Sequence, residues 1–403
     1  MSALDRCLNI WDLRAAAHRR LPKGLFDFVD RATEDHIAVA NNRSAFERIK
    51  LRHRALVDVS KRSVATNLFG KPASMPLAIA PTGSAGLCWH LGELELAKAA
   101  AKAKVPLTLS TASMTPMEAI AKAAGPEQGG RLWFQLYVWK QRELSHQLIE
   151  RAKRNGFEAL IVTVDSPVGA NREYNTHNGF GLPFSLTPRF MLDVMRHPAW
   201  AMSVPMKYFT SIGFPRHENY PPEHRKSILS GVGARDALRA DSLDWNDIAK
   251  FRDMWPGTLM LKGVNRADDA VKALGYGVDG IIVSNHGGRN MDSAVATLDV
   301  LPEIAEAVGD RATVILDSGV RRGSDIVKAL ALGAKAVLTG RATLYGTAVG
   351  GEAGAVKAIN ILKNEMDKTM AYTGCRTVDE VTPDIFWGQR EGNRLRPTAM
   401  AAD

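Results

Sequence analysis

Eight short apolar, β-branched runs, several of them followed by an Ala/Leu/Lys-rich stretch, constrain the fold of this 403-residue chain more than any other feature. They are Leu77–Ala80, Pro106–Leu109, Trp133–Leu136, Leu160–Val164, Leu259–Lys262, Gly280–Val283, Val314–Leu316 and Ala336–Leu338. Helical spacing fills Gly92–Lys104, Gln141–Asn155, Ala267–Leu274 and Gly323–Leu332. Gly156, Gly277 and Gly333 stand where a helix must stop before the next strand. Parallel strands are buried on both faces, and eight of them with covering helices close more readily than they form an open sheet. The pattern therefore predicts a single (β/α)8 TIM barrel over 1–403, with a capping segment ahead of the first strand.

The spacing breaks once, between the fourth and fifth runs, which predicts an inserted loop over about 168–256. Its middle, Phe190 to Phe214, is rich in Met and aromatics but is interrupted by Arg196, His197, Pro198, Pro205 and Lys207. It therefore lacks the ~20 consecutive apolar residues that cross a bilayer. Two readings stay open: a hydrophobic lid or subunit contact, and a segment lying in the membrane interface. A net charge of +9 suits anionic lipid as well as small anionic substrates and phosphates. No zinc-finger spacing, RNP-like aromatic pattern or run of five Lys/Arg is present, so no nucleic-acid partner is expected. Cys7, Cys88 and Cys375 are too scattered for a disulfide framework or a closed metal site. The first twenty residues do not read as a secretory signal, so a cytoplasmic location is expected.

In a barrel of this kind the reacting groups stand at the carboxyl ends of the strands. Those positions here carry Ala80-Pro81-Thr82-Gly83, Ser110, Gln135 and Tyr137, Thr163 and Asp165 followed by Arg172, Lys262, Ser284 to Arg289, Asp317 to Arg321, and Gly340-Arg341. The ends of strands seven and eight are the usual phosphate site of a barrel. Glycines let backbone N–H groups approach an anion and arginines close around it, a role that suits Gly319, Arg321, Gly340 and Arg341. His286 stands three residues before Arg289, with Asp165 and Lys262 on neighbouring strand ends. A neutral imidazole backed by a carboxylate can take a proton, and an arginine can hold a substrate carboxylate through two hydrogen bonds.

The segments SNHGGR (284–289), DSGVRRG (317–323), TGR (339–341), FQLY (134–137), APTG (80–83) and TVDSP (163–167) resemble the FMN-dependent L-2-hydroxy acid oxidase and dehydrogenase family, most of all its bacterial (S)-mandelate dehydrogenase branch. The likeness runs from about Leu21 to about Thr382. It implies an FMN enzyme that oxidises a 2-hydroxy acid, mandelate-like or otherwise bulky, to the 2-keto acid. His286 would be the base and Asp165 the stabiliser of its protonated form. Arg172, Arg289 and Tyr137 would hold the substrate. Lys262 would sit beside the flavin N1–C2 carbonyl, with Ala80, Pro81, Thr82, Gly83, Ser110, Gln135, Thr163 and Ser284 around the ring and ribityl chain. Asp317, Gly319, Arg321, Gly340 and Arg341 would hold the ribityl and phosphate end.

The resemblance also implies a homo-oligomer, in that family a tetramer, and a loop after strand four that anchors the protein peripherally on the inner face of the cytoplasmic membrane. Two positions depart from the family. Phe28 stands where a substrate-facing tyrosine is usual, and Asp30 to Asp35 replace a glycine-rich element. Gly83 resembles the dehydrogenase branches rather than the oxidases, which points to a quinone or another acceptor in place of O2. The alternatives are an L-lactate dehydrogenase or oxidase using O2, a non-redox FMN barrel isomerase, and an FMN-binding scaffold without turnover.

Overall fold

The structure, a computed structural model, describes residues 4–180, 187–225, 227, 239–388, 390–391 and 394–395. All eight apolar runs are strands: β1 Leu77–Ile79, β2 Leu107–Ser110, β3 Leu132–Leu136, β4 Ala159–Thr163, β5 Thr258–Val264, β6 Gly280–Val283, β7 Thr313–Leu316 and β8 Ala336–Thr339. They pair in parallel in chain order, and β8 returns to β1 to close the barrel. Side chains alternate across the wall, as the period of two requires. Ala78, Trp133, Ile161, Met260, Ile282, Ile315 and Leu338 fill the interior, while Leu77, Phe134, Leu160, Leu261 and Val314 pack outward against helices. A hairpin of Thr66–Leu68 and Lys71–Ala73 brings Phe69 edge-on to Trp133.

The helices expected from spacing occur as Gly92–Ala103, Arg142–Arg154, Ala267–Leu274 and Gly323–Ala331, and Gly156, Gly277 and Gly333 take positive φ beyond three of them. Within the long segment after β4, Trp245–Met254 is the barrel's own covering helix. Arg142 grips Asp247 at 2.7 and 2.8 Å, and the His146 ring meets Phe251 edge-on. Ahead of it, Pro188–Met195, Pro198–Ser203 and Pro205–Ser211 each begin on a proline, whose missing N–H costs nothing at a helix start. Residues 181–186, 226 and 228–238 of that segment lie outside the described residues.

One face of these three helices is anchored to the barrel. Trp200, Val204 and Tyr208 are buried, the Trp200 indole donates to the Leu87 carbonyl at 2.8 Å, and the Leu91 N–H donates to the Tyr208 hydroxyl at 3.0 Å. Their other face leaves Met191, Met195, Met202, Met206, Phe209, Ile212 and Phe214 exposed. Among the described residues no helix is long and apolar enough to cross a membrane.

The capping segment forms α1 Ile10–Arg20, α2 Lys23–Asp30 and α3 Ile37–Arg48. The carbonyls at the carboxyl end of α2, which no intrahelical N–H can satisfy, meet cations. Arg341 donates to Val29 at 3.1 Å and to Arg31 at 3.0 Å, and Arg289 donates to Arg31 at 2.9 Å. From α3, Asn42 exchanges amide hydrogen bonds of 2.9 and 2.8 Å with Asn285. The cap is thereby bolted to the carboxyl end of the barrel.

Strand β5 shifts register between Lys262 and Val264, at Gly263, whose φ is +104°. A Cβ there would lie 2.4 Å from the Asp165 Cβ. Gly263→Ala combines left-handed strain with overpacking and should lower the unfolding free energy by roughly 2–4 kcal/mol in urea denaturation. Unchanged stability would show that the bulge tolerates a side chain.

Candidate active site

Beyond β6 the backbone turns through three left-handed residues, His286, Gly287 and Gly288, with φ of +59°, +67° and +73°. The glycines are required by close approach as well. A Cβ on Gly287 would meet the Arg341 guanidinium at 2.5 Å, and one on Gly288 would meet the Val39 backbone at 2.8 Å. His286 has a Cβ and bears the strain, on the order of 1–3 kcal/mol, in exchange for a fixed ring position. Its N–H donates to the Ser284 hydroxyl at 3.0 Å.

The ring is held at both nitrogens. Nδ1 lies 3.0 Å from Asp165 Oδ1, and Nε2 lies 3.2 Å from the Tyr137 hydroxyl. Asn290 fixes the loop that carries Asp165, donating to its carbonyl and to the Ser166 hydroxyl at 2.7 Å each. Burial holds the His286 pKa below its ordinary value. Asp165 opposes that shift, while the positive charges of Lys262 and Arg172 add to it. Burial pushes the Asp165 carboxyl up, but His286, Lys262 and Ser166 outweigh it, so the group stays ionised. A neutral imidazole beside a carboxylate is the arrangement that accepts a proton well.

Behind this pair lies a buried ionic cluster. Lys262 Nζ is 2.9 Å from both Asp317 Oδ2 and Ser284 Oγ, and Ser284 donates to Asp317 at 2.6 Å. Burial favours uncharged Lys262, but Asp317 and Asp165 prevail and keep it protonated. Burial likewise pushes Asp317 up, and Lys262 and Ser284 reverse the shift.

These groups border a cavity that is open to solvent. Of the residues singled out in the sequence, Phe28, Ala80 to Gly83, Ser110, Tyr137, Arg172, Lys262, His286, Arg289, Asp317, Gly319, Arg321, Gly340 and Arg341 line it. Asp165 stands behind His286. Gln135 and Ser284 sit in the layer beneath the lining, where Gln135 accepts from Ser110 at 3.0 Å and donates to Thr163 at 2.9 Å. Thr163 faces a second cavity.

On the cavity wall the Arg289 guanidinium lies over the Phe28 ring at 5.3 Å, and Arg172 donates to the Arg289 carbonyl at 3.3 Å. Arg341, which shares the Arg31 carbonyl with Arg289, is pushed down to about 10 by burial, with Arg289 adding to the shift. Among the described residues Arg321 Nε is buried and has no hydrogen-bond partner. The helix Arg341–Thr373 begins at this point, and its first N–H groups have no intrahelical acceptor. Orphaned donors and clustered cations of this kind fit a phosphate.

The sequence reading missed Arg239, which stacks on Tyr137 with its guanidinium carbon 4.4 Å from the ring centroid. It comes from the segment after β4, away from every strand end, so no local signal marks it. Asn265, which donates to the Ser284 carbonyl at 2.8 Å, and Asn290 were also missed; both lie just past strand ends that were inspected for charge. Among the described residues no group of three or more His, Cys, Asp or Glu is placed to hold a metal ion.

Comparison with known proteins agrees with this geometry. Residues 17–388 match the family model described as FMN-dependent dehydrogenase. The chain is 40% identical to (S)-mandelate dehydrogenase of Pseudomonas putida, over 95% of this chain and 94% of that protein. It is also 40% identical to L-lactate oxidase of Nostoc sp., over 94% and 98% of the two chains. A solved structure of the monotopic membrane protein (S)-mandelate dehydrogenase superposes with a TM-score of 0.89 at 39% identity, covering 95% of this chain and 99% of the other.

Proposed function

Because the chain belongs to the FMN-dependent dehydrogenase family, we propose that it oxidises the L enantiomer of a bulky, mandelate-like 2-hydroxy acid to the 2-keto acid, with His286 as the base. The observation that carries this reading is the His286 ring on the cavity wall, with Asp165 on one nitrogen and Tyr137 on the other, in a cavity that Arg172 and Arg289 also line. Arg172 and Arg289 take the substrate carboxylate, and Tyr137 orients its hydroxyl. His286 Nε2 receives the proton that leaves the substrate, and the imidazolium so formed is stabilised by Asp165 at 3.0 Å. Phe28 supplies a ring face to Arg289 in place of a phenol, so the clamp rests on the two guanidiniums.

FMN, when bound, accepts the two electrons released by the substrate. The lining supports its placement. Lys262 brings a fixed positive charge to the ring, while Ala80 to Gly83 and Ser110 offer a small-residue wall, with Gln135, Thr163 and Ser284 beneath. Asp317, Gly319, Arg321, Gly340 and Arg341 would hold the ribityl and phosphate end, with Arg321 Nε, unpartnered among the described residues, as one donor. Isomerisation would not require the carboxylate clamp of Arg172 and Arg289 alongside His286, and a scaffold role would need neither the base nor the clamp.

Gly83 supports a quinone or other acceptor. A Cβ there would lie 3.0 Å from the Ala112 Cβ, so the wall is tight against even one methyl group. The second reading, electron transfer to O2 from lactate, draws on the equal identity with the Nostoc L-lactate oxidase. The family resemblance supports a tetramer.

The purified yellow protein is expected to bleach anaerobically with an L-2-hydroxy acid and not with its D enantiomer. His286→Ala should retain FMN while flavin reduction slows by about 10²–10⁴. Equal rates in the variant and the parent would remove His286 from the chemistry.

The exposed apolar face of 190–214, with Met195 and Phe209 each 67% exposed, supports peripheral attachment to the inner face of the cytoplasmic membrane, and its anchored face supports packing on the barrel. Replacing Met195, Met202, Phe209 and Ile212 by serine, with Trp200 and Tyr208 kept, should move the protein from the membrane fraction to the soluble one. Turnover with a soluble dye should stay within about twofold, since these four exposed side chains do not line the cavity and their replacement should leave the stability of the fold nearly unchanged. A parent protein already soluble in a low-salt lysate would contradict the attachment.

A further inference from the structure

The cavity wall carries more positive charge than a monocarboxylate and one phosphate require. Six cationic side chains line it, Arg172, Arg239, Lys262, Arg289, Arg321 and Arg341, and its acidic side chain Asp317 is bound to Lys262. Arg321 and Arg341 stand at the strand-seven and strand-eight ends, and Arg172 and Arg289 stand together at the proposed carboxylate clamp. Arg239 is left over.

Its position is set by the backbone. Arg239 forms a bridge with Trp139, and the Ala240 N–H donates to the Val138 carbonyl at 2.9 Å, so the residue runs alongside the extension of β3 that carries Tyr137. The guanidinium carbon lies over the Tyr137 ring, 4.4 Å from its centroid, and the hydroxyl of that ring is 3.2 Å from His286 Nε2. One tyrosine side chain therefore separates Arg239 from His286, the proposed base. Among the described residues it forms no ion pair, and it is only half-buried, so an anion can reach it. A pocket for a purely aromatic substituent would gain nothing from a half-desolvated guanidinium and would bear its desolvation cost.

We propose that Arg239 determines specificity for a second carboxylate, so that the preferred substrate is an L-2-hydroxy dicarboxylic acid whose distal carboxylate pairs with this guanidinium. The proposal rests on the oxidation reading above, keeps its chemistry, and replaces the mandelate-like side chain by one that ends in a carboxylate. The distal carboxylate lies on the active-site side of Arg239. The second cavity, which Arg239 also borders, carries Asp241, Asp244 and Asp269 and repels it.

The test uses the FMN-loaded enzyme and matched pairs in which only the distal charge changes: L-malate and L-2-hydroxyglutarate against their ω-monoamides. The readout is the ratio of kcat/KM for acid over amide, with anaerobic flavin bleaching as the assay and FMN content and the visible spectrum as checks on folding. The parent should favour the acid by at least about tenfold, as a charge-assisted pair does. Arg239→Gln should bring the ratio close to one, mainly through KM, and Arg239→Lys should restore most of it. A parent ratio near or below one, or a ratio that Arg239→Gln leaves unchanged, overturns the proposal. If lactate and mandelate bleach the flavin while neither dicarboxylate does, this inference alone fails. If no 2-hydroxy acid bleaches it, the oxidation reading fails with it.

Discussion

The buried ionic cluster of Lys262, Asp317 and Asp165, joined through Ser284 to His286, is the constraint on which the rest of the carboxyl face depends. A buried lysine and two largely buried carboxylates are costly unless each is paired and hydrogen-bonded, and breaking such a set leaves an uncompensated charge. Its members come from four strands: Asp165 follows β4, Lys262 lies on β5, Ser284 and His286 follow β6, and Asp317 follows β7. The cluster therefore works only if four strands keep their register. The bulge at Gly263 is the local distortion that lets β5 pass Asp165 closely enough. The left-handed turn at His286 is the strain accepted so that the ring meets Asp165 and Tyr137 together.

Around this rigid centre the mobile choices are electrostatic. Cations at the cavity rim serve two partners at once. Arg289 and Arg341 neutralise the carbonyl end of α2 and so hold the cap shut over the barrel mouth, while still facing the cavity. Their guanidiniums have five N–H donors each, enough to bind the cap and an anion together. Folding of the cap and readiness for an anionic ligand are thus coupled, and a substitution at either arginine would be felt in both.

Much of this was legible in the sequence, and the reasons are physical. A buried parallel strand must be an apolar run, so all eight strands could be placed to within a few residues. The chemistry then followed from reading what stands at their carboxyl ends. SNHGGR carries its own backbone geometry, since two glycines after a histidine announce a turn that a Cβ would block. What sequence could not yield are contacts made across long separations by residues with no local pattern: Arg239 on Tyr137, Asn42 with Asn285, and Tyr208 under Leu91. The covering helix Trp245–Met254 was absorbed into the expected insertion because its neighbours on both sides break the βα period. Gln135 and Thr163, read as cofactor contacts, are also hydrogen-bonded to each other, and Gln135 to Ser110, links that no local pattern marks.

The account turns on His286 being neutral in the resting enzyme and on Asp165 stabilising it once protonated. The most direct test is the pH dependence of the anaerobic flavin-reduction rate in the parent and in Asp165→Asn. Burial lowers the His286 pKa from its ordinary 6.5, so the parent rate should stay flat as pH falls through 6.5 and decline only below it. Asp165 acts to raise that pKa, so its loss should carry the acid limb to still lower pH while the plateau drops by about tenfold or more. A parent whose rate already declines above pH 6.5, or a variant with an unchanged plateau, would contradict the account.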